Sequence, residues 1–392
     1  MVWICLEWNL HQNAGVLDNA QMNPLFIRSF HQQRHARLGG VNGGEMVLDY
    51  GNPEGEQDWL RKSAGVMDMG FRTRICLVGA DRARFLHGQV TNHVNRLREG
   101  EGIRAAITTP KGRLEADLNI LCLKEELLLD AEPGLAAKLT ARLEKYVVAD
   151  DVQVVDAAPA YGLLTVQGPR SEAVLAGLGW LEFAPNPPGQ PPVRLLESVH
   201  IPHPDLGEIY VAANPRLGRH LERGYDFYIP NPALERAAES LLEMVHRAGG
   251  GLTGWNAWET LRIEAGVPRF GVDMDEQCLP MECGLEPFSV AYDKGCYIGQ
   301  EVLNRLHTQG RVTRALRGLR FLGSPRDMPQ LHDKLVHQDR EIGHVTSAVL
   351  SPVLGAVGMG YVRREFFQPG NRLEVLTRQG RCDVEVFDLP AA

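Results

Sequence analysis

From about Val312 to its end, the chain stops making helices. Leu316–Leu322, Lys334–His337, Gly343–Ser347, Ala356–Val362, Arg372–Leu376 and Cys382–Phe387 are short, rich in β-formers and separated by Gly, Pro or Asp. That punctuation predicts a small all-β module and sets a boundary near residue 312. Whatever lies upstream has to be a different kind of structure.

Upstream, strand and helix patterns mix. Thr73–Gly79 reads as strand, Asp81–Asn92 as helix with Asp81 as cap, and Gly102–Thr108, Glu115–Leu123 and Leu127–Ala131 as strands. A helix over Pro133–Lys145 puts Pro where its missing N–H does no harm, and Val152–Val155 alternates as a strand should. Leu25–Leu60 reads mostly as loop, with a helical stretch around Phe30–Leu38. A second block opens at Tyr161 with strand Leu163–Val166, a Gly168-Pro169 turn and helix Ser171–Leu178. Five prolines in Ala184–Pro192 predict a solvated loop. Strands near Val193–Ile201, Glu208–Ala212 and Tyr225–Ile229 follow, then helices over Pro232–Ala248 and Asn256–Ala265. Runs in this order indicate α+β architecture and not a doubly wound sheet. The divisions expected are an N-terminal extension (1–24), two α+β units (25–158 and 159–311) and a β-barrel (312–392). Residues 1–21, with Trp3 and Trp8 but no Lys or Arg, read as an extension or the product of an upstream start codon.

Composition narrows the function classes. With 41 basic and 49 acidic residues the net charge is −8, so binding nucleic acid through bulk charge is not expected. The stretch Ile342–Val362 lacks Asp, Glu, Lys and Arg but is broken by glycines, serines and Pro352, too polar to span a bilayer. Arg28 is the first basic side chain other than His11, so no secretory n-region is visible. Seven cysteines, odd in number and widely spaced, suit free thiols in a cytoplasmic protein.

Most catalytic signatures are missing. A formal GxGxxG at Gly249, Gly251 and Gly254 follows a helix instead of a strand and fails the dinucleotide test. Cys278, Cys283, Cys296 and His307 match no common zinc spacing. The densest segment is Lys294-Gly295-Cys296-Tyr297-Ile298-Gly299-Gln300-Glu301. A thiol beside Lys294 is a candidate for raised reactivity, against a reading of Cys296 as a small buried hydrophobe. Arg305, Arg311, Arg314, Arg317 and Arg320 follow it with no intervening acid. They read equally as a solvated face or as a lip for a polyanionic tail.

Lys294–Glu301 resembles the signature of YgfZ-type folate-binding proteins, which belong to the superfamily of the glycine-cleavage T-protein. Ala64–Asp68, Phe85–Asn92, Val166–Pro169, Thr260–Gly266, Leu279–Leu285 and Val345–Gly355 resemble other superfamily motifs in the same order. The resemblance implies a three-part α+β cloverleaf around a central folate cavity, with a C-terminal β-barrel. It implies that Glu264 binds the pterin, where a carboxylate can accept two parallel N–H bonds. Asp117 falls in the family's paired-acid loop near the folate nitrogens, but Ala116 replaces the first acid. Tyr297 and Arg311 are assigned to the folate site, and Asp117 and Cys296 to catalysis. The function expected is tetrahydrofolate binding in iron–sulfur cluster assembly or repair, with iron–sulfur client proteins as partners. The alternative is an aminomethyltransferase that takes a one-carbon unit from a lipoyl carrier protein; a third reading is an interaction module with a vestigial pocket.

Overall fold

A computed structural model describes residues 22–180, 194–218, 223–322 and 328–389. The expected N-terminal extension, up to residue 21, and the proline-rich loop lie outside the described residues. The chain divides into two compact units made of interleaved stretches. One comprises the chain up to His87, His93–Arg104 and Leu118–Trp258; the other comprises Gly88–Asn92, Ala105–Asp117 and everything from Glu259 on.

The first unit is built on antiparallel sheets, as an α+β reading requires. Its six-stranded sheet runs Ser198–His203, Gly207–Ala213, Gly224–Pro230, Tyr161–Gln167, Gly65–Asp68, Gly251–Leu252. Only the short Gly251–Leu252 pairing with Gly65–Val66 is parallel. Helices Ser171–Leu178 and Leu234–Arg247 cover this sheet, burying Val174, Leu234, Leu241 and Val245 with Phe227, Ile229 and Val166. A five-stranded sheet has the order Gly102–Thr108, Leu114–Cys122, Glu126–Ala131, Thr73–Val78, Gln153–Asp156. The outer ends of its first two strands, and the turn between them, are counted with the second unit.

The Leu25–Leu60 stretch is not mostly loop. Arg37–Val41 and Gly44–Asp49 form a hairpin, and Pro53–Lys62 is a helix capped by Asn52. Asn42 (φ 45°) and Gly43 (φ 83°) supply the two left-handed residues of a tight turn whose twist suits the strands.

The second unit ends in a closed barrel. Around it the strands are Arg314–Phe321, Gly355–Arg363, Arg340–Ser351, Lys334–His337, Arg372–Thr377 and Gly380–Phe387, the last pairing back with the first. Leu319, Ile342, Val345, Val362, Val375 and Val386 fill it. Register slips between Val345 and Ser347, so Thr346 is a bulge residue. Among the described residues, no helix is long and apolar enough to cross a membrane.

Candidate functional site

All five sequence-predicted site residues, Asp117, Glu264, Cys296, Tyr297 and Arg311, fall in the second unit. Helix Trp255–Glu264 delivers Glu264 in its last turn. Gly266, at φ 67°, ends the helix in the left-handed conformation that glycine takes without a Cβ penalty. Glu264 is half-buried. A carboxylate there faces the negative end of the helix dipole, at a typical cost of about 0.3–1 kcal/mol, so local helix stability does not explain its presence.

Two residues before it, Arg262 is fully buried and committed. It pairs with Asp273 and Glu259 and donates to Ser347 Oγ at 2.8 Å. Burial would pull its pKa down; the charges of Asp273 and Glu259 outweigh that and raise it. The bulge at Thr346 aims two hydroxyls at the same acid: Thr346 Oγ1 and Ser347 Oγ reach Asp273 Oδ1 at 2.6 and 2.7 Å. Helix and barrel strand are thereby tied at Asp273. Sequence reasoning did not single out Asp273, although an arginine on an apolar helix face is itself a signal that an acid lies opposite.

Asp117 sits on strand Leu114–Cys122, where Leu114, Ala116 and Leu118 are buried and Glu115 and Asp117 are half-buried. Neighbours on a strand face opposite ways, so Ala116 and Asp117 do not share a face. The turn before this strand is held by Gly112 (φ 72°), with its N–H on Thr109 O at 2.9 Å.

The Lys294–Glu301 segment packs on that turn. Thr108 Oγ1 donates to Ile298 O at 2.7 Å. Gly299, at φ 89°, starts helix Gln300–Gln309, and a Cβ there would meet Thr108 Oγ1 and Thr109 O at 2.6 Å. Lys294 is buried; its Nζ donates to Val90 O at 2.6 Å and Asn92 O at 2.8 Å. Burial lowers its pKa to about 7. The expectation that Lys294 activates Cys296 therefore fails on side-chain direction: the amine is engaged with backbone carbonyls, and Cys296 is exposed instead of a small buried hydrophobe.

Tyr297 is 7% exposed, and its ring lies 4.8 Å from Lys294 Nζ. Among the described residues its buried hydroxyl has no hydrogen-bond partner. Burial raises its pKa to about 12, so it stays a protonated donor. An orphan phenol of this kind costs roughly 1–3 kcal/mol, which a ligand acceptor would recover.

The arginine series does not form one lip. Arg305 and Arg311 are exposed. Arg314 pairs with Glu282 at 3.3 Å, Arg317 donates to Phe367 O at 3.0 Å, and Arg320 lies 3.7 Å from Glu385. His307 pairs with Glu286 at 2.8 Å and stacks on Tyr292, away from a metal-ligand role.

An antiparallel α+β region followed by a closed six-stranded barrel defines a narrow class of protein. The GCVT N-terminal domain family matches residues 27–294, and the glycine cleavage T-protein C-terminal barrel domain matches residues 314–391. This chain belongs to the glycine cleavage T-protein family. It is 28% identical to an aminomethyltransferase of Halothermothrix orenii over 94% of this chain and 98% of that one. It is 29% identical to an aminomethyltransferase of Rubrobacter xylanophilus, covering 92% and 91%. The fold matches the crystal structure of glycine cleavage system aminomethyltransferase T from Bartonella henselae, with a TM-score of 0.82 at 24% identity, over 95% of this chain and 98% of that one. These relatives overturn the expected YgfZ-type role in iron–sulfur assembly. That role leans on short stretches, Lys294–Glu301 and the Lys111–Arg113 turn with Ala116; similarity over 371 residues to proteins named aminomethyltransferase outweighs them.

Proposed function

We propose that this protein is an aminomethyltransferase, moving a one-carbon unit from an aminomethyl-lipoyl carrier protein to tetrahydrofolate. The observation that carries this reading is similarity to named aminomethyltransferases along more than nine-tenths of both chains. In the reaction a folate nitrogen forms a bond to the methylene carbon. Closure by the second nitrogen leaves methylene-tetrahydrofolate, with ammonia and the carrier thiol as the groups released. Protons must leave the folate nitrogens and reach sulfur and ammonia, so groups that orient and exchange protons are the ones to look for.

Glu264 is assigned to the pterin edge, where its carboxylate accepts paired N–H bonds. Asp117 is assigned to the folate nitrogens, as the half-buried carboxylate of strand Leu114–Cys122. Tyr297 supplies a donor through its buried hydroxyl. Arg311, being exposed, is assigned to the glutamate tail of folate, where a guanidinium and a carboxylate pair even in water. Cys296 is assigned a reactive, accessible thiol and is expected to alkylate faster than Cys76, Cys278 and Cys283, which are buried.

The deciding assay supplies aminomethyl-lipoyl carrier and tetrahydrofolate and measures methylene-tetrahydrofolate. Robust product is expected, with Asp117→Asn reducing the rate by about a hundredfold. Absence of product with folate binding intact would reject the transferase reading. Absence of folate heat in calorimetry would leave an interaction module.

A further inference from the structure

Cys278 and Cys283 belong to no role assigned above, yet the fold brings both sulfurs to one oxygen. Tyr361 Oη lies 3.1 Å from Cys278 Sγ and 3.2 Å from Cys283 Sγ. The two sulfurs are thus no more than about the sum of those distances apart, and the Cys283 thiol donates to Leu279 O at 3.3 Å. Both residues are 2% exposed. Arg314 places Nη2 3.8 Å from Cys278 Sγ and stacks its guanidinium over the Tyr361 ring at 4.5 Å.

The surroundings make the two thiols unequal. The neighbouring Cys283 thiol lowers the Cys278 pKa, burial opposes it, and Tyr361 adds to the lowering. Cys283 moves the other way, raised first by burial. Asp275 Oδ1 accepts the Cys278 S–H at 3.2 Å, a contact that aims the thiol and by itself opposes its ionisation. A thiol shifted toward its thiolate beside a second thiol is the pairing that oxidises reversibly once peroxide reaches it.

We propose that Cys278 and Cys283 are a peroxide-oxidised dithiol, with Cys278 as the attacking and Cys283 as the resolving sulfur. Cys278 thiolate attacks one peroxide oxygen, the O–O bond breaks, and Cys278 becomes a sulfenic acid as the first water leaves. Cys283 sulfur then attacks the sulfenic sulfur, expelling the hydroxyl, which leaves as the second water with the Cys283 proton. Two thiols are oxidised by two electrons and one hydrogen peroxide is reduced to two waters.

Oxidation has a route to the proposed active site. Cys278 O accepts the N–H of Leu114 at 2.9 Å, and Arg113 donates to Gln277 O. Leu114 starts the strand that carries Asp117 three residues on. A disulfide takes both sulfurs off Tyr361 and redraws the 275–285 turn that grips this strand. This coupling to activity rests on the aminomethyltransferase reading; disulfide formation itself does not.

The full-length protein is treated with hydrogen peroxide, denatured in N-ethylmaleimide so that buried thiols are trapped, and digested with trypsin. The peptide Phe270–Lys294 contains both sulfurs and no other cysteine. It is expected to appear two hydrogens lighter and unlabelled, and to recover both labels after dithiothreitol. Two maleimide labels after peroxide would overturn the proposal. Cys283→Ser should stop at a dimedone-reactive Cys278; dimedone on Ser-substituted protein at any other thiol, with Cys278 untouched, would overturn the order of attack. Tyr361→Phe keeps the ring and should slow oxidation by about tenfold, and an unchanged rate would remove Tyr361 as the activating group. Amide exchange at Leu114 should quicken about tenfold in the oxidised protein, and unchanged exchange would overturn the coupling. Loss of methylene-tetrahydrofolate production on oxidation, restored by dithiothreitol, supports the link to activity. An inactive reduced protein that still forms the disulfide would reject the transferase reading alone.

Discussion

Two buried polar groupings in this chain have opposite accounts. In the first unit, Asp130 accepts from Arg72 at 2.7 Å, Arg216 at 2.8 Å and Asn119 at 2.9 Å. Arg216 also pairs with Asp226, which takes Asn214 at 2.8 Å. Burial alone would push Asp130 up; Arg216 and Arg72 outweigh it and hold the carboxyl below its usual range. Every charge meets an opposite one, which marks a network that holds structure. In the second unit, buried Tyr297 has a hydroxyl with no partner among the described residues, beside a lysine whose charge burial has weakened. The reading proposed above gives that hydroxyl to folate. Polar burial is not itself a functional signal; an unmet buried hydroxyl is a place to test for one.

The sharpest way to break the contrast is to remove the hub of the closed network. Asp130→Ala leaves Arg72 and Arg216 buried without their shared acid and should cost about 3–5 kcal/mol in denaturant unfolding. A cost below about 1 kcal/mol would show the network to be dispensable.

Next in size is a pH effect confined to the first unit. Glu56 is fully buried and takes the N–H groups of Tyr50 and Gly254 at 2.7 and 2.9 Å. Burial nevertheless raises its pKa from 4.5 to about 7. The native state then holds a proton that the unfolded chain has released, so the stabilisation is full below pH 4.5 and is lost as pH rises through 7. The whole effect is about 3 kcal/mol. Unfolding of wild type and Glu56→Gln across that window should show the slope in the wild type only; parallel curves would exclude Glu56.

Glu264→Ala should weaken tetrahydrofolate at least about tenfold, or 1.4 kcal/mol, in calorimetry. Equal affinity would take the pterin contact away from Glu264. Tyr297→Phe separates the two kinds of burial. Deleting an orphan hydroxyl should leave the unliganded protein as stable or up to about 1 kcal/mol more so, while folate affinity falls. A destabilised apo-protein would mean that the hydroxyl serves the fold. The smallest effect belongs at the surface: breaking the exposed Lys62–Asp58 pair, 2.8 Å apart, should change stability by less than about 0.5 kcal/mol.

The barrel and the α+β character were legible because they rest on local alternation and on Gly, Pro and Asp between strands. The hairpin at Arg37–Asp49 carried an equally local signal in Asn42-Gly43, but its strands hold three glycines and a buried Glu45, which blur the alternation. Site chemistry was less legible. Lys294 and Cys296 are neighbours in sequence, yet one reaches inward to Val90 and the other faces solvent. Asp273 joins Arg262 to Thr346, a meeting across 73 positions that no spacing announces. Cys278 and Cys283 were visible as a spacing; the phenol that joins them comes from the barrel.

The looped-out Thr346 has a consequence for how gene length can drift. Losing a codon from an exposed hairpin tip merely shortens a turn. Losing the one for Thr346 would iron the strand flat, pair Val345 and Ser347 as ordinary neighbours, and strip Asp273 of a hydroxyl while Arg262 stays buried against it. Indels should therefore be far less tolerated at this position than a few residues away at the Val353–Leu354 bend, whose side chains already face water.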